Sequence, residues 1–159
     1  MGKIYRQVLE FKRKYPITIG WRLKKNAAIV EMHMNPGEEP LYSFFGQKND
    51  NSIDIFSTAV VTLTNKRILI GRKRVLFGYF LNSITPDLFN DLKIRKGLIW
   101  SDVEIDTIRE NVYLSNINPE GAIEAETNIT EFMMKEKKKY KEPETNTGGK
   151  YARKFKKSS

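Results

Sequence analysis

The sequence predicts an α+β protein, mainly β: a partly open barrel of about seven antiparallel strands, capped by a C-terminal helix and preceded by two short helices. Three observations carry that expectation. Apolar residues recur at helical spacing through residues 4–34. From Leu41 to Asn116 the apolar period falls to two, and turn residues interrupt it repeatedly. At Asn118-Pro119 a helix start signal appears and the helical period returns.

Each element follows from its own residues. Ile4, Val8, Phe11 and Tyr15 form one stripe of a first helix, which Pro16 stops. Leu23, Ala27, Val30 and Met34 repeat the spacing in a second helix, ended by Asn35-Pro36-Gly37. Isolated helices this short are marginal in water, so their stripes must pack on each other, on the rest of the chain, or on another chain. Leu41–Gln47 reads as a first strand and Asn49-Asp50-Asn51-Ser52 as a loop. Ile53, Ile55, Ala59, Val61 and Leu63 share one face of a long second strand. Asn65 is expected to reverse the chain in a left-handed conformation, and Ile68–Arg72 returns as the third strand. Arg74–Ile84 reads as a fourth strand with Val75, Phe77, Tyr79 and Leu81 on one side. Asp91–Lys96 and Leu98–Asp106, hinged at Gly97, are the fifth and sixth strands, and Val112–Asn116 is the seventh. The closing helix has Asn118 as N-cap, Pro119 in the first position and Glu120 in the first turn. Its apolar face is Ala122, Ala125, Ile129, Phe132 and Met133.

These boundaries divide the chain into a helical N-terminal extension (residues 1–35), a central domain (36–136) and a basic tail (137–159) expected to be disordered. The net charge of +9 is uneven. Residues 1–35 hold eight Lys/Arg against two Glu, and residues 135–159 hold ten against three, so the middle carries −4. Basicity therefore belongs to the ends, which argues against a nucleic-acid surface on the domain itself. No run approaches the roughly 20 apolar residues of a membrane span. The first residues show no secretory signal, and Arg6 stands where a myristoylation motif needs Ser or Thr. The chain has no cysteine, which excludes disulfides and thiolate metal sites and fits a cytoplasmic protein.

Pro36-Gly37-Glu38-Glu39, Leu63-Thr64-Asn65-Lys66-Arg67-Ile68-Leu69, Lys96-Gly97-Leu98-Ile99-Trp100 and Val112-Tyr113-Leu114 together resemble the bacterial pleckstrin-homology-like (PH-like) family of the YokE type, found in prophages of Gram-positive bacteria. The resemblance implies a seven-stranded PH-like barrel with a C-terminal helix, a docking role, and no catalytic residues.

The residues themselves point the same way. No nucleophile–base set is present, and the single histidine, His33, has no thiol or triad partner. Asp102, Glu104 and Asp106 alternate along one strand, as a solvated face does. Gly148-Gly149 has neither the strand before it nor the helix after it that a phosphate loop needs. No enzyme, cofactor or metal site is expected. The sharpest feature is five cations within nine residues, Lys66, Arg67, Arg72, Lys73 and Arg74, a candidate contact for an anionic partner. Eukaryotic PH domains place their headgroup-binding cations in the first loop, where this chain has Asn49-Asp50-Asn51. The tail adds Lys137, Lys138, Lys139, Lys141, Lys150, Arg153, Lys154, Lys156 and Lys157, interleaved with Tyr140, Tyr151 and Phe155. The expected function is a binding module for protein–protein association, with self-association through the front helices as one form. The alternative is a peripheral anionic-membrane or nucleic-acid-binding accessory protein acting through its basic ends.

Overall fold

The computed structural model describes residues 1–49 and 56–158, with side chains described as far as Lys139. Three helices and seven strands follow in order: α1 Lys3–Lys14, α2 Leu23–Met32, β1 Pro40–Gln47, β2 Thr58–Thr64, β3 Ile68–Lys73, β4 Tyr79–Ile84, β5 Phe89–Lys96, β6 Ser101–Thr107, β7 Asn111–Ile117 and α3 Pro119–Ser158. The strands form one antiparallel sheet in the order β4-β3-β2-β1-β7-β6-β5. Among the described residues β1 is in register with β7 at one pair, Gln47 opposite Ser115, so the sheet bends there into two halves. The α+β architecture anticipated from the sequence is therefore present, with β4 and β5 as its two ends.

Register shows how the first half is covered. Phe45 lies opposite Val60, and Val60 opposite Gly71, so these three share one face. That face meets α1 and α2. A Cβ on Gly71 would stand 2.7 Å from Val30 Cγ2, which is how closely α2 lies on β3. Phe11 of α1 meets Phe45 edge-on at 5.5 Å. The alternate residues, including Phe44, Val61 and Ile70, face the barrel interior. β2 is thus buried on both sides, and every residue of Thr58–Thr64 is shielded from water. An antiparallel strand covered twice loses the usual polar-outward alternation.

The stripes of both front helices are buried within this chain: Ile4, Val8, Phe11 and Tyr15 on α1, and Leu23, Ala27 and Val30 on α2. The apolar surface expected to be available for self-association is already covered by the sheet. α3 begins as predicted, with Glu120 N–H donating to Asn118 Oδ1 at 3.0 Å. Ala122, Ala125, Ile129 and Met133 are wholly buried, and the helix packs on β5 and β6. Burial of Ile129 and Met133 contributes about 3–6 kcal/mol as an upper figure. The backbone of α3 runs to Ser158.

Two local expectations are corrected. Asn65 is not among the described residues with left-handed backbone, which are Arg22, Asn116, Gly37 and Gly78. The β2–β3 turn is instead organised by Thr64, whose Oγ1 accepts from Lys66 N–H at 3.1 Å and Arg67 N–H at 3.0 Å. Arg74–Ile84 is not one strand either. Lys73 pairs with Tyr79, so the chain reverses between them, and Gly78 supplies the left-handed residue (φ +74°). Val75 and Phe77 alternate because they straddle a hairpin tip, a pattern that periodicity alone reads as strand. Ile53 and Ile55 of the expected second strand lie outside the described residues.

Candidate functional site

The five clustered cations sit at opposite ends of β3. Five strand steps separate Ile68 from Lys73, about 17 Å. Lys66 and Arg67 occupy one end, and Arg72, Lys73 and Arg74 the other.

At the first end Arg67 is fully engaged. Its Nε and Nη2 donate to the two carboxylate oxygens of Glu38, each at 3.1 Å. Nη2 also donates to the His33 carbonyl and Nη1 to Ser83 Oγ, both at 3.0 Å. The Glu38 side chain is 1% exposed. Burial pushes its carboxyl up, but bonds from Arg67, Thr64 Oγ1 and Asn35 N–H outweigh burial and hold it below the usual carboxylate value. Arg67 therefore ties the α2–β1 connection to the β2–β3 hairpin and to β4.

At the second end the cations face one another. Phe80 stands opposite Arg72 on the interior face of the sheet, at the open mouth of the barrel. Around its ring lie Arg74 Cζ at 4.0 Å, Lys48 Nζ at 5.0 Å and Arg72 Cζ at 5.6 Å. Ring faces attract cations, so Phe80 gathers charges that otherwise repel. Burial pushes the Lys48 ammonium below its usual value; Arg72 adds to this and Glu110 opposes it. Beside Lys48 opens a shallow cleft of about 230 Å³, whose lining includes Asn49, Asn82 and Glu110. Asn82 Nδ2 donates to Glu110 Oε1 at 2.9 Å. The backbone of Lys73 is held by Asn26, whose Oδ1 accepts from Lys73 N–H at 2.8 Å.

The structure thus brings Arg72 and Arg74 together, sets Lys66 apart, and places Arg67 in an ion pair. Sequence reasoning missed Lys48 and Phe80. The bend of the sheet brings the end of β1 to the β3–β4 hairpin, and linear spacing does not report that approach.

The other singled-out residues have structural surroundings. His33 Nδ1 lies 2.7 Å from the Ile29 carbonyl oxygen and Nε2 lies 3.1 Å from the Tyr79 hydroxyl. Asp102 and Glu104 face Arg95 and Lys93 across the β5–β6 ladder, an arrangement of opposite charges that suits a solvated face. Among the described residues no group of three or more His, Asp or Glu is placed to hold a metal ion. No described helix is long and apolar enough to cross a membrane. In the tail, Lys137 Nζ donates to the Phe89 carbonyl and Lys139 pairs with Glu136. The remaining tail residues lie beyond the described side chains.

A bent seven-stranded antiparallel sheet with a helix packed after its last strand defines a PH-like domain, a class made largely of non-catalytic binding modules. The chain belongs to the bacterial PH domain family, whose model matches residues 34–137. No curated protein matches it.

Proposed function

We propose that this protein is a non-catalytic docking module that recognises an anionic surface with the mouth of its barrel, through Lys48, Arg72 and Arg74. The observation carrying this reading is the convergence of three cations on one phenyl ring, where burial already disfavours the charge on Lys48. Packing like charges this way destabilises a fold, and a bound polyanion relieves the repulsion. Residues 36–136 act as the docking domain, residues 1–35 as a brace against its sheet, and residues 137–159 as a basic arm that adds unspecific attraction. The Leu63–Leu69 and Lys96–Trp100 segments favour a YokE-like branch, with prophage origin in a Gram-positive host and a cytoplasmic location as the accompanying expectations.

A second reading, association with a protein or another copy by strand addition, is favoured by β4 ending the sheet. The first reading is tested on a heparin column. The Lys48→Ala/Arg72→Ala/Arg74→Ala variant should elute at clearly lower salt than a variant with Lys137, Lys138 and Lys139 replaced by Ala, although both lose three charges. Elution of the mouth variant with the wild type, or loss of retention in the tail variant alone, would refute it.

A further inference from the structure

Beyond Arg74 the β3–β4 hairpin ends in Val75-Leu76-Phe77, which are 72%, 82% and 85% exposed. They are three large apolar residues in a row at the tip of a closed turn, in which Arg74 N–H donates to the Gly78 carbonyl at 3.1 Å. Isolated apolar residues on a surface need no explanation; a contiguous exposed run at a projecting tip does. Its neighbours decide what it fits. Arg72, Lys73 and Arg74 precede it directly, and no acidic residue lies between Arg72 and Phe80. Arg22 adds a fourth cation at the base, with Nη1 donating to the Arg74 carbonyl at 3.4 Å. Two half-exposed amphipathic aromatics complete the base, Tyr79 (43%) and Trp21 (53%). Asn26 links Trp21 to the hairpin by donating to the Trp21 carbonyl at 3.2 Å while accepting from Lys73 N–H.

An apolar tip backed directly by cations, with Arg74 bonded to Gly78 and Lys73 opposite the amphipathic Tyr79, suits an anionic bilayer, whose acyl chains lie beneath its interface and phosphates. A second tip repeats the sequence logic. Arg95-Lys96-Gly97-Leu98-Ile99-Trp100 closes the β5–β6 hairpin, with Leu98 fully exposed and Ile99 at 56%. Both tips are tied to the α1–α2 linker. Trp100 Nε1 donates to the Ile17 carbonyl at 2.8 Å, and five residues later Arg22 reaches Arg74. Five residues span at most about 18 Å, so the linker's two attachment points lie close together.

We infer that the anionic surface is a lipid bilayer, and that Val75, Leu76 and Phe77 insert at its interface while Arg72, Lys73 and Arg74 hold the phosphates. This rests on the anionic-docking reading and adds to it the apolar half of the contact. The test is co-sedimentation of the full chain with phosphatidylcholine vesicles, with and without phosphatidylglycerol, run beside the heparin column. The wild type should sediment only with vesicles containing phosphatidylglycerol. Leu76→Ser/Phe77→Ser, which changes no charge, should weaken that partition at least about tenfold and leave heparin elution unchanged. Equal vesicle binding by the serine variant would overturn insertion. Heparin retention through Lys48, Arg72 and Arg74 without any sedimentation would overturn the membrane and leave a soluble polyanion as partner. Loss of the charge dependence on heparin would instead remove the docking reading itself.

Discussion

The two ends of β3 carry the same residue types and do opposite things. At the Lys66–Arg67 end, one guanidinium meets one buried carboxylate and further acceptors, and the charge is neutralised inside the fold. At the Arg72–Arg74 end, cations gather around a ring, and Glu110 acts on Lys48 among them. A basic cluster in a sequence is therefore two questions: which cations the fold consumes as structure, and which it leaves for a partner. Here the deciding feature is Glu38, which arrives from the α2–β1 connection and captures Arg67.

The comparison is sharpened most by Arg67→Met. It leaves the Glu38 carboxylate buried without its cation, and the loss should be about 3 kcal/mol, the low end for a broken buried pair because Arg67 retains some exposure. The loss should also depend on pH. The Glu38 carboxyl is held below its usual 4.5, so its contribution is present above that value and is lost as pH falls through the native value. Without Arg67, burial pushes the carboxyl up and protonation relieves the variant. Urea unfolding should therefore show the gap between variant and wild type narrowing as pH drops below 4.5. A gap independent of pH would mean that Arg67 acts through packing rather than through Glu38.

Arg74→Ala at the other end should change unfolding free energy by less than about 0.5 kcal/mol, because an exposed cation without a carboxylate partner among the described residues stabilises little. A change as large as that of Arg67→Met would erase the distinction between the two ends.

The contrast explains what could be read from the chain and what could not. Helix stripes, strand count and the Asn118 cap are local, and local periodicity reports them. The doubly covered β2 was not legible, since Thr58-Ala59-Val60-Val61-Thr62-Leu63-Thr64 mixes small polar and apolar residues; only the structure shows that Ser43 bonds both Thr62 and Gln7 of α1. The division of the cationic cluster was equally hidden. It depends on Glu38 standing next to Arg67, 29 positions away in sequence, and on Lys48 reaching Phe80 through a bend in the sheet. Val75–Phe77 looked like strand because alternation is the same in a ladder and across a tip.

The smallest effect tests the mouth most directly, because its sign is unusual. Replacing a charged surface residue by an apolar one ordinarily leaves stability unchanged or lowers it. Lys48 is different: burial and Arg72 hold its ammonium below the usual 10.5 despite Glu110, so the native state binds that proton less tightly than the unfolded chain. A cation so placed opposes folding at every pH where it is charged, and the opposition fades as pH rises past the native value towards 10.5. Lys48→Met keeps the aliphatic stem and removes the charge. It should stabilise the protein at neutral pH by a few tenths of a kcal/mol, since solvent screens the partly exposed group. That corresponds to a rise in Tm of about 1 °C, shrinking as pH approaches the lysine range. Heparin should reverse the order by stabilising the wild type more than the variant, because the ligand supplies the countercharge that the fold withholds. Calorimetric scans with and without heparin measure both halves. A variant that is less stable than the wild type without heparin would show that Lys48 belongs with Arg67, among the cations the fold has already used.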